Sequence, residues 1–298
     1  MRVPTNSFSE SVVSQLQRLT ARQTQLQNQA ATQQRITNPS DDPQAMSRLL
    51  QVNAEKQQLQ QYSQNNGRAT EISQTTYSAV NGLKSISDRA GEISVLGAGV
   101  TSPDAYTSYA TEVNQLIEQA VQTGNSKHGN DYLLGGVKTD TPPFTVVRDA
   151  NGDITSVSYQ GAASAAQVRI AEGSTISPGT DGTTNQQLAD FMNHLVSLRD
   201  ALKSGSASSV SGVQSNLHTS EDNLLVTISG IGAVQTRLEA DASQSQDRFS
   251  ELQKLASQET DVDLAQTVVK LTQAQTAYQA ALQSGAQMLH TSLLDYLR

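Results

Sequence analysis

Apolar residues recur along this chain at steps of four and three over most of its length, with polar residues between them. Near the start, Val12, Leu16, Leu19, Gln23, Leu26, Ala30 and Gln33 follow that alternation. This is a heptad seam with Gln at two of its positions, and it predicts a helix from Glu10 to Arg35. A helix so polar and short is not stable alone and needs a partner. The end of the chain mirrors the start. Leu264, Val268, Leu271, Gln275, Tyr278, Leu282, Gly285, Leu289, Ser292 and Tyr296 repeat the alternation, with Leu293 beside them. Thr260-Asp261 is the expected cap of this last helix.

Between these ends the pattern changes twice. Thr37-Asn38-Pro39-Ser40-Asp41-Asp42-Pro43 is a sharp break followed by a helix start. Pro43 suits the first helical position, and Asp42, next to Asp41, can cap it near the positive end of the helix dipole. A helix then runs from Gln44 to Leu96, about 80 Å at 1.5 Å per residue. Its regular half reads Ala69, Ile72, Thr76, Ala79, Leu83, Ile86, Ala90, Ile93. Ser102-Pro103 opens another helix, expected to reach Gln122. From Pro142 to Gly182 the period drops to two. Phe144–Val147 and Ile154–Tyr159 flank Asn151-Gly152, a hairpin signal, and Gln167–Ile170 is a third strand candidate. Helical spacing resumes at Asn185 and continues, after a Ser-rich linker at Gly205, from Val210 to Ala256. Gly230 and Gly232 are read as points of close helix packing.

The predicted fold is mainly α: an elongated antiparallel helical bundle or coiled coil with a small β-rich insertion, its N- and C-terminal helices paired. Residues 1–40 form the first coiled-coil helix and 41–140 the N-terminal half of the helical rod. Residues 141–183 form a β-rich outer domain, 184–258 the C-terminal half of the rod, and 259–298 the last coiled-coil helix.

Composition agrees with narrow seams. Aromatic residues make up 4% of the chain and Trp is absent, which disfavours a large spherical core. A net charge of -8 argues against a nucleic-acid partner and against an anionic membrane surface. No run of 18 apolar residues exists, so no membrane-spanning helix is expected. The first residues lack the apolar core of a cleaved signal peptide, so any export is expected to use another route. Residues 1–40 carry four arginines against Glu10, while residues 259–298 carry Lys270 and Arg298 against four carboxylates. Opposite signs favour placing the two ends side by side.

Candidate chemistry is thin. Cys is absent, which removes thiolate and disulfide chemistry. His128, His194, His218 and His290 are scattered, without metal-ligand spacing. The Asp41-Asp42 pair reads as a cap rather than an acid–base or metal site, because no His or third carboxylate lies near it in sequence. The Gly129–Gly136 loop lacks the Lys-Ser/Thr of a phosphate loop. No catalytic, cofactor-binding or metal residue is assigned; no cofactor and no enzyme activity are expected.

Four regions together resemble the flagellin superfamily, in particular its hook–filament junction branch. They are Met1-Arg2-Val3-Pro4-Thr5-Asn6 before a polar heptad helix, Arg35-Ile36-Thr37-Asn38-Pro39-Ser40-Asp41-Asp42-Pro43, Gly129 to Gly136 with Pro143-Phe144, and the C-terminal run ending Ser292-Leu293-Leu294-Asp295-Tyr296-Leu297. Relatives often carry Gly-Lys where Gln33-Gln34 stand here. The resemblance implies a structural flagellar protein, exported unfolded by the flagellar type III apparatus to an extracellular place in the flagellum. Its implied partners are copies of itself, a neighbouring hook-associated protein, flagellin, and a cytoplasmic export chaperone on the C-terminal helix. A filament subunit, or another type III-exported structural protein, is the alternative. The residues implied for assembly are the seam positions Val12, Leu16, Leu19, Leu26, Leu264, Val268, Leu271, Tyr278, Leu282, Leu289, Leu293 and Tyr296, with the bend and cap at Asp41, Asp42 and Pro43.

Overall fold

The structure, a computed structural model, describes residues 5–99 and 102–296, with side chains described from Glu10 to Gln287. It is mainly helical: α1 (Thr5–Thr32), α2 (Pro43–Ala98), α3 (Pro103–Gly124), α4 (Gly182–Lys203), α5 (Ala207–Thr260) and α6 (Leu264–Tyr296). Between α3 and α4 lie β1 (Lys127–His128), β2 (Asp131–Tyr132), β3 (Phe144–Arg148), β4 (Ile154–Tyr159), β5 (Val168–Ala171) and β6 (Ser174–Ile176). The strands pair only as hairpins, β1 with β2, β3 with β4 and β5 with β6. No described helix is long and apolar enough to cross a membrane. The chain forms two compact units: a terminal unit, Met1–Gln57 with Arg248–Arg298, and a central unit, Gln58–Asp247.

The central unit has a closed core. One face of α3 buries Tyr106, Ala110, Val113, Ile117 and Ala120. Helix α4 meets it with Leu188, Phe191, Met192, Leu195 and Leu198, and β4 packs against α4. Asn side chains finish the β edges, where unpaired backbone groups would otherwise be exposed. Asn193 accepts from the Val157 N–H and donates to its carbonyl, both at 2.9 Å. Asn125 does the same for Phe144, at 3.0 and 2.9 Å. Arg199, 2% exposed, donates to the Ile154 carbonyl at 2.6 Å and Asn114 Oδ1 at 3.0 Å, and pairs with Asp200. Its charge is buried but satisfied.

Several local details depart from the expectations. The β3–β4 loop is longer than a two-residue Asn-Gly turn. Gly152, at φ +89°, donates to the Asp149 carbonyl, and Asp149 donates to the Asp153 carbonyl. The Asp149 carboxylate accepts from the Asn151 and Asp153 N–H groups, which stabilises this wider loop. Helix α4 begins three residues before Asn185, because Asp181 accepts from Thr184 N at 2.8 Å and supplies the cap. Ser102 occupies the cap position of α3 but makes no side-chain capping bond. Gly230 and Gly232 are not close-packing points: a Cβ at either would meet nothing within 4 Å. Ile231 between them is the buried residue.

Candidate assembly surface

The terminal unit is built on α1 and α6, and the two run antiparallel. At one end Gln34 bridges to Asp261, and Val262 N donates to the Gln33 carbonyl. Farther along, a Cβ on Gly285 would meet Val12 Cγ1 at 3.2 Å. On α1 the heptad positions turn inward: Val12, Leu16, Leu19 and Gln23 are half-buried and Leu26 is buried. On α6 the inward positions are Thr267, Leu271, Ala274, Tyr278, Ala281 and Gly285, again at steps of four and three. Thr267, Ala274, Ala281 and Gly285 are small and let a slender, polar partner approach. No described ion pair joins α1 to α6, so the opposite charges of the two ends act at most at long range.

This packing divides the seam expected on α6. Leu271 and Tyr278 face α1. Leu264, Val268 and Leu282 lie on a neighbouring stripe and are 44%, 47% and 43% exposed, beside Val269 at 55%. Leu289, Leu293 and Tyr296 lie outside the residues whose side chains are described. Heptad spacing alone could not separate the two stripes, because leucine reads as a stronger seam residue than the Thr267, Ala274 and Ala281 that α1 covers. An open groove of ≈ 830 Å³ runs along another flank of the pair, lined by Val13, Leu16, Thr20, Thr24 and Tyr278 together with the bend residues Thr37, Asn38 and Asp41.

The connectors between the helices form a clasp. Ile36 is buried, and Asp41 Oδ2 accepts from the Asn38 N–H at 2.9 Å and the Thr37 N–H at 3.1 Å. Those backbone N–H groups hold the Asp41 carboxyl below its ordinary value. Asp42 Oδ1 accepts from Ala45 N at 3.0 Å and so caps α2, with Pro43 at the first position. The Ala45 N–H, and then Arg35, whose Nη1 lies 3.2 Å from Asp42, lower the Asp42 pKa. Arg35 also donates to the Glu259 carbonyl at 2.9 Å, and its N–H to the Thr260 carbonyl at 2.6 Å. Arg48 grips Glu259 with two bonds, 2.8 and 2.9 Å, and lowers its pKa. Asp263, not Thr260-Asp261, caps α6, accepting from Gln266 N at 3.1 Å. Thr260 instead closes α5.

One strained residue sits in this clasp. Gln33 has φ +57°, the left-handed conformation that usually closes a helix at Gly. The Gly-to-Gln difference noted in the sequence thus leaves the turn in place and moves its cost onto the backbone.

The surface offers no group of three or more His, Asp or Glu, among the described residues, that could hold a metal ion. Its resources are an open apolar stripe, a groove and a rigid clasp. The family model for the bacterial flagellin N-terminal helical region matches residues 3–139. The flagellar hook-associated protein 3 of Escherichia coli is 26% identical over 286 residues, 90% of this chain and 90% of that protein. The chain is thus similar to flagellar hook-associated protein 3 over most of its length, and to a flagellin N-terminal helical region over residues 3–139. The flagellar hook-associated protein 3 of Salmonella typhimurium is 32% identical over 146 residues, 48% of this chain and 46% of that protein. The fold is also that of Bacillus cereus FlgL, with a TM-score of 0.60 at 16% identity, over 70% of this chain and 99% of that one. These similarities support a structural role in the bacterial flagellum, in assembly with other flagellar components.

Proposed function

We propose that the protein joins the flagellar hook, through another hook-associated protein, to the flagellin filament, and that it has no enzymatic role. The observation that carries this reading is the apolar stripe Leu264, Val268, Val269 and Leu282, left open on a helix whose other face is already covered. Exposed apolar residues gathered along a helix in this way mark a contact surface. Copies of the chain pack through it into a ring or tube, with α1 and α6 as the shared layer and the clasp holding the pair at a set angle to the first turns of α2. Before assembly, the protein is exported through the flagellar type III apparatus. A cytoplasmic chaperone covers the same stripe in the manner of a helix-binding groove. The assembled protein is extracellular, on the flagellum.

Deletion of the gene tests the reading. The expected result is non-motile cells with intact hooks and unpolymerised flagellin in the medium. Motile cells with normal filaments would overturn it. The match to a flagellin N-terminal region supports a second reading, a filament subunit. Long filaments grown from the purified protein alone would favour that one.

A further inference from the structure

The central unit pairs most of its cations with carboxylates. Lys84, Arg89, Arg148, Arg199, Lys203 and Arg237 each have a carboxylate partner. The remaining Lys and Arg residues between Gln58 and Asp247 are Arg68, Lys127, Lys138 and Arg169, and none of these has a carboxylate partner among the described residues. Two of the four line one pocket, and the other two adjoin residues that line it. Arg68 and Arg169 line a pocket of ≈ 430 Å³ between α2 and the β hairpins. Lys127 Nζ lies 4.3 Å from the ring centre of Tyr132, another lining residue. Lys138, bonded through Nζ to the Gln160 carbonyl, adjoins the lining residue Thr139.

The placement is held from both sides. Asn65 Nδ2 donates to the Arg169 carbonyl at 2.8 Å, which ties β5 to α2 one helical turn from Arg68. Three carboxylates temper the charge, one of them Asp140, which follows the lining residue Thr139 as Lys138 precedes it. Asp131 lines the pocket and accepts from Thr139 Oγ1 at 3.1 Å, and Glu71 lies 3.9 Å from His128 Nε2. A positive surplus remains, in a chain whose net charge is -8. Like charges gathered around a concave, low-dielectric wall repel one another and focus a positive potential on the cavity. Guanidinium forks match carboxylate and phosphate oxygens in pairs.

We propose that this pocket binds a small carboxylate- or phosphate-bearing ligand, held between the Arg68 and Arg169 guanidinium groups beside Tyr132. The cavity lies within the size range of small-molecule sites, about 300–1,000 Å³. Calorimetric titration of the full-length chain at low salt with glucuronate, inorganic phosphate and neutral glucose tests this. Saturable binding of glucuronate or phosphate, weakened by salt, is expected, with none for glucose; the tighter anion tells a carboxylate site from a phosphate site. The double variant Arg68→Gln/Arg169→Gln should weaken binding about tenfold or more, since each charged hydrogen bond accounts for about that factor. Arg89→Gln, which removes a paired charge elsewhere, should leave it unchanged. In the unsubstituted protein, the imidazole resonances of His128 should shift on saturation, a readout that depends on no variant. No saturable binding of either anion, equal binding of glucose, or an Arg89→Gln loss as large as that of the double variant would overturn the proposal.

Discussion

The two units of this protein solve the same problem, burying apolar residues along helices, in opposite ways. In the central unit, Phe144, Phe191, Leu83, Ile93, Ile117 and Leu195 are fully buried, and the buried Arg199 and Asn185 side chains have hydrogen-bond partners. In the terminal unit the only buried apolar residues described are Leu26, Ile36, Ala45, Leu252 and Ala274, while Leu50, Leu255, Leu264, Val268, Val269 and Leu282 stand open. A closed core is sufficient in itself. A pair of helices with one face covered and another bare is half of an interface, and the hydrophobic effect that would stabilise it requires a neighbour.

Truncating the closed core should produce the largest effect. Phe191→Ala removes a fully buried ring and should cost about 3–5 kcal/mol, measured as loss of stability of the purified monomer in denaturant. Leu271→Ala, on the half-buried α1–α6 seam, should cost less than half as much in the same assay. Equal costs would mean that the terminal unit is as self-sufficient as the central one. Amide exchange makes the same contrast without substitution: α3 and α4 should exchange slowly, and α1 and α6 within minutes in a dilute monomer.

The two stripes of α6 allow a sharper division. Leu282→Asp puts a charge on the bare stripe and should leave monomer stability within about 0.5 kcal/mol, as is usual for surface changes, while abolishing incorporation into flagella. Leu271→Asp should damage both, because it places a carboxylate against α1. Motility restored by a Leu282→Asp gene in a deletion strain would show that the bare stripe is not an assembly contact.

How these features read in the sequence follows from the same contrast. The helices were legible because seam residues such as Leu83, Ile86 and Ile93 repeat strongly, and β3 and β4 because Phe144–Val147 and Ile154–Tyr159 flank a glycine turn. The β1–β2 and β5–β6 hairpins were not legible as pairs: strands of two to four residues are too short for periodicity to register. The caps at Asp181 and Asp263 were missed because a capping Asp looks like any loop Asp until the helix register is known. On α6 the seam signal followed the leucines, whereas α1 covers the Ala and Thr positions beside them. The cationic pocket left no trace in the sequence, because its arginines are a hundred residues apart and only the β5 contact with α2 brings them together.

A smaller effect comes from the clasp turn. Gln33→Gly relieves a left-handed backbone at a position where no side-chain role is visible, and should stabilise the terminal unit by about 1 kcal/mol. The measurement is slower exchange of the α1 amides. No change would mean that the Gln29 bond to the Arg35 carbonyl and its neighbours already hold the turn regardless of residue type.

The smallest expected effect is one of pH, and it separates charge from hydrogen bonding in the clasp. Asp41, Asp42 and Glu259 all have lowered pKa values in the folded protein. A carboxyl lowered by folding contributes stability above its unfolded pKa and loses it as pH falls through its folded one. The clasp should therefore be fully formed above about pH 5 and loosen progressively below about pH 4, where ordinary carboxyls also protonate. These groups lie at the surface, so their effect should be local: faster exchange of the Asn38, Thr37 and Ala45 amides. Asp42→Asn keeps a side-chain oxygen for the Ala45 N–H but loses the attraction to Arg35. It should therefore flatten the pH response at Ala45 while leaving that of Asn38 in place, since Asp41, not Asp42, accepts from the Asn38 N–H. If both responses persist in Asp42→Asn, the acid sensitivity arises elsewhere, and the Arg48–Glu259 pair is the next to remove.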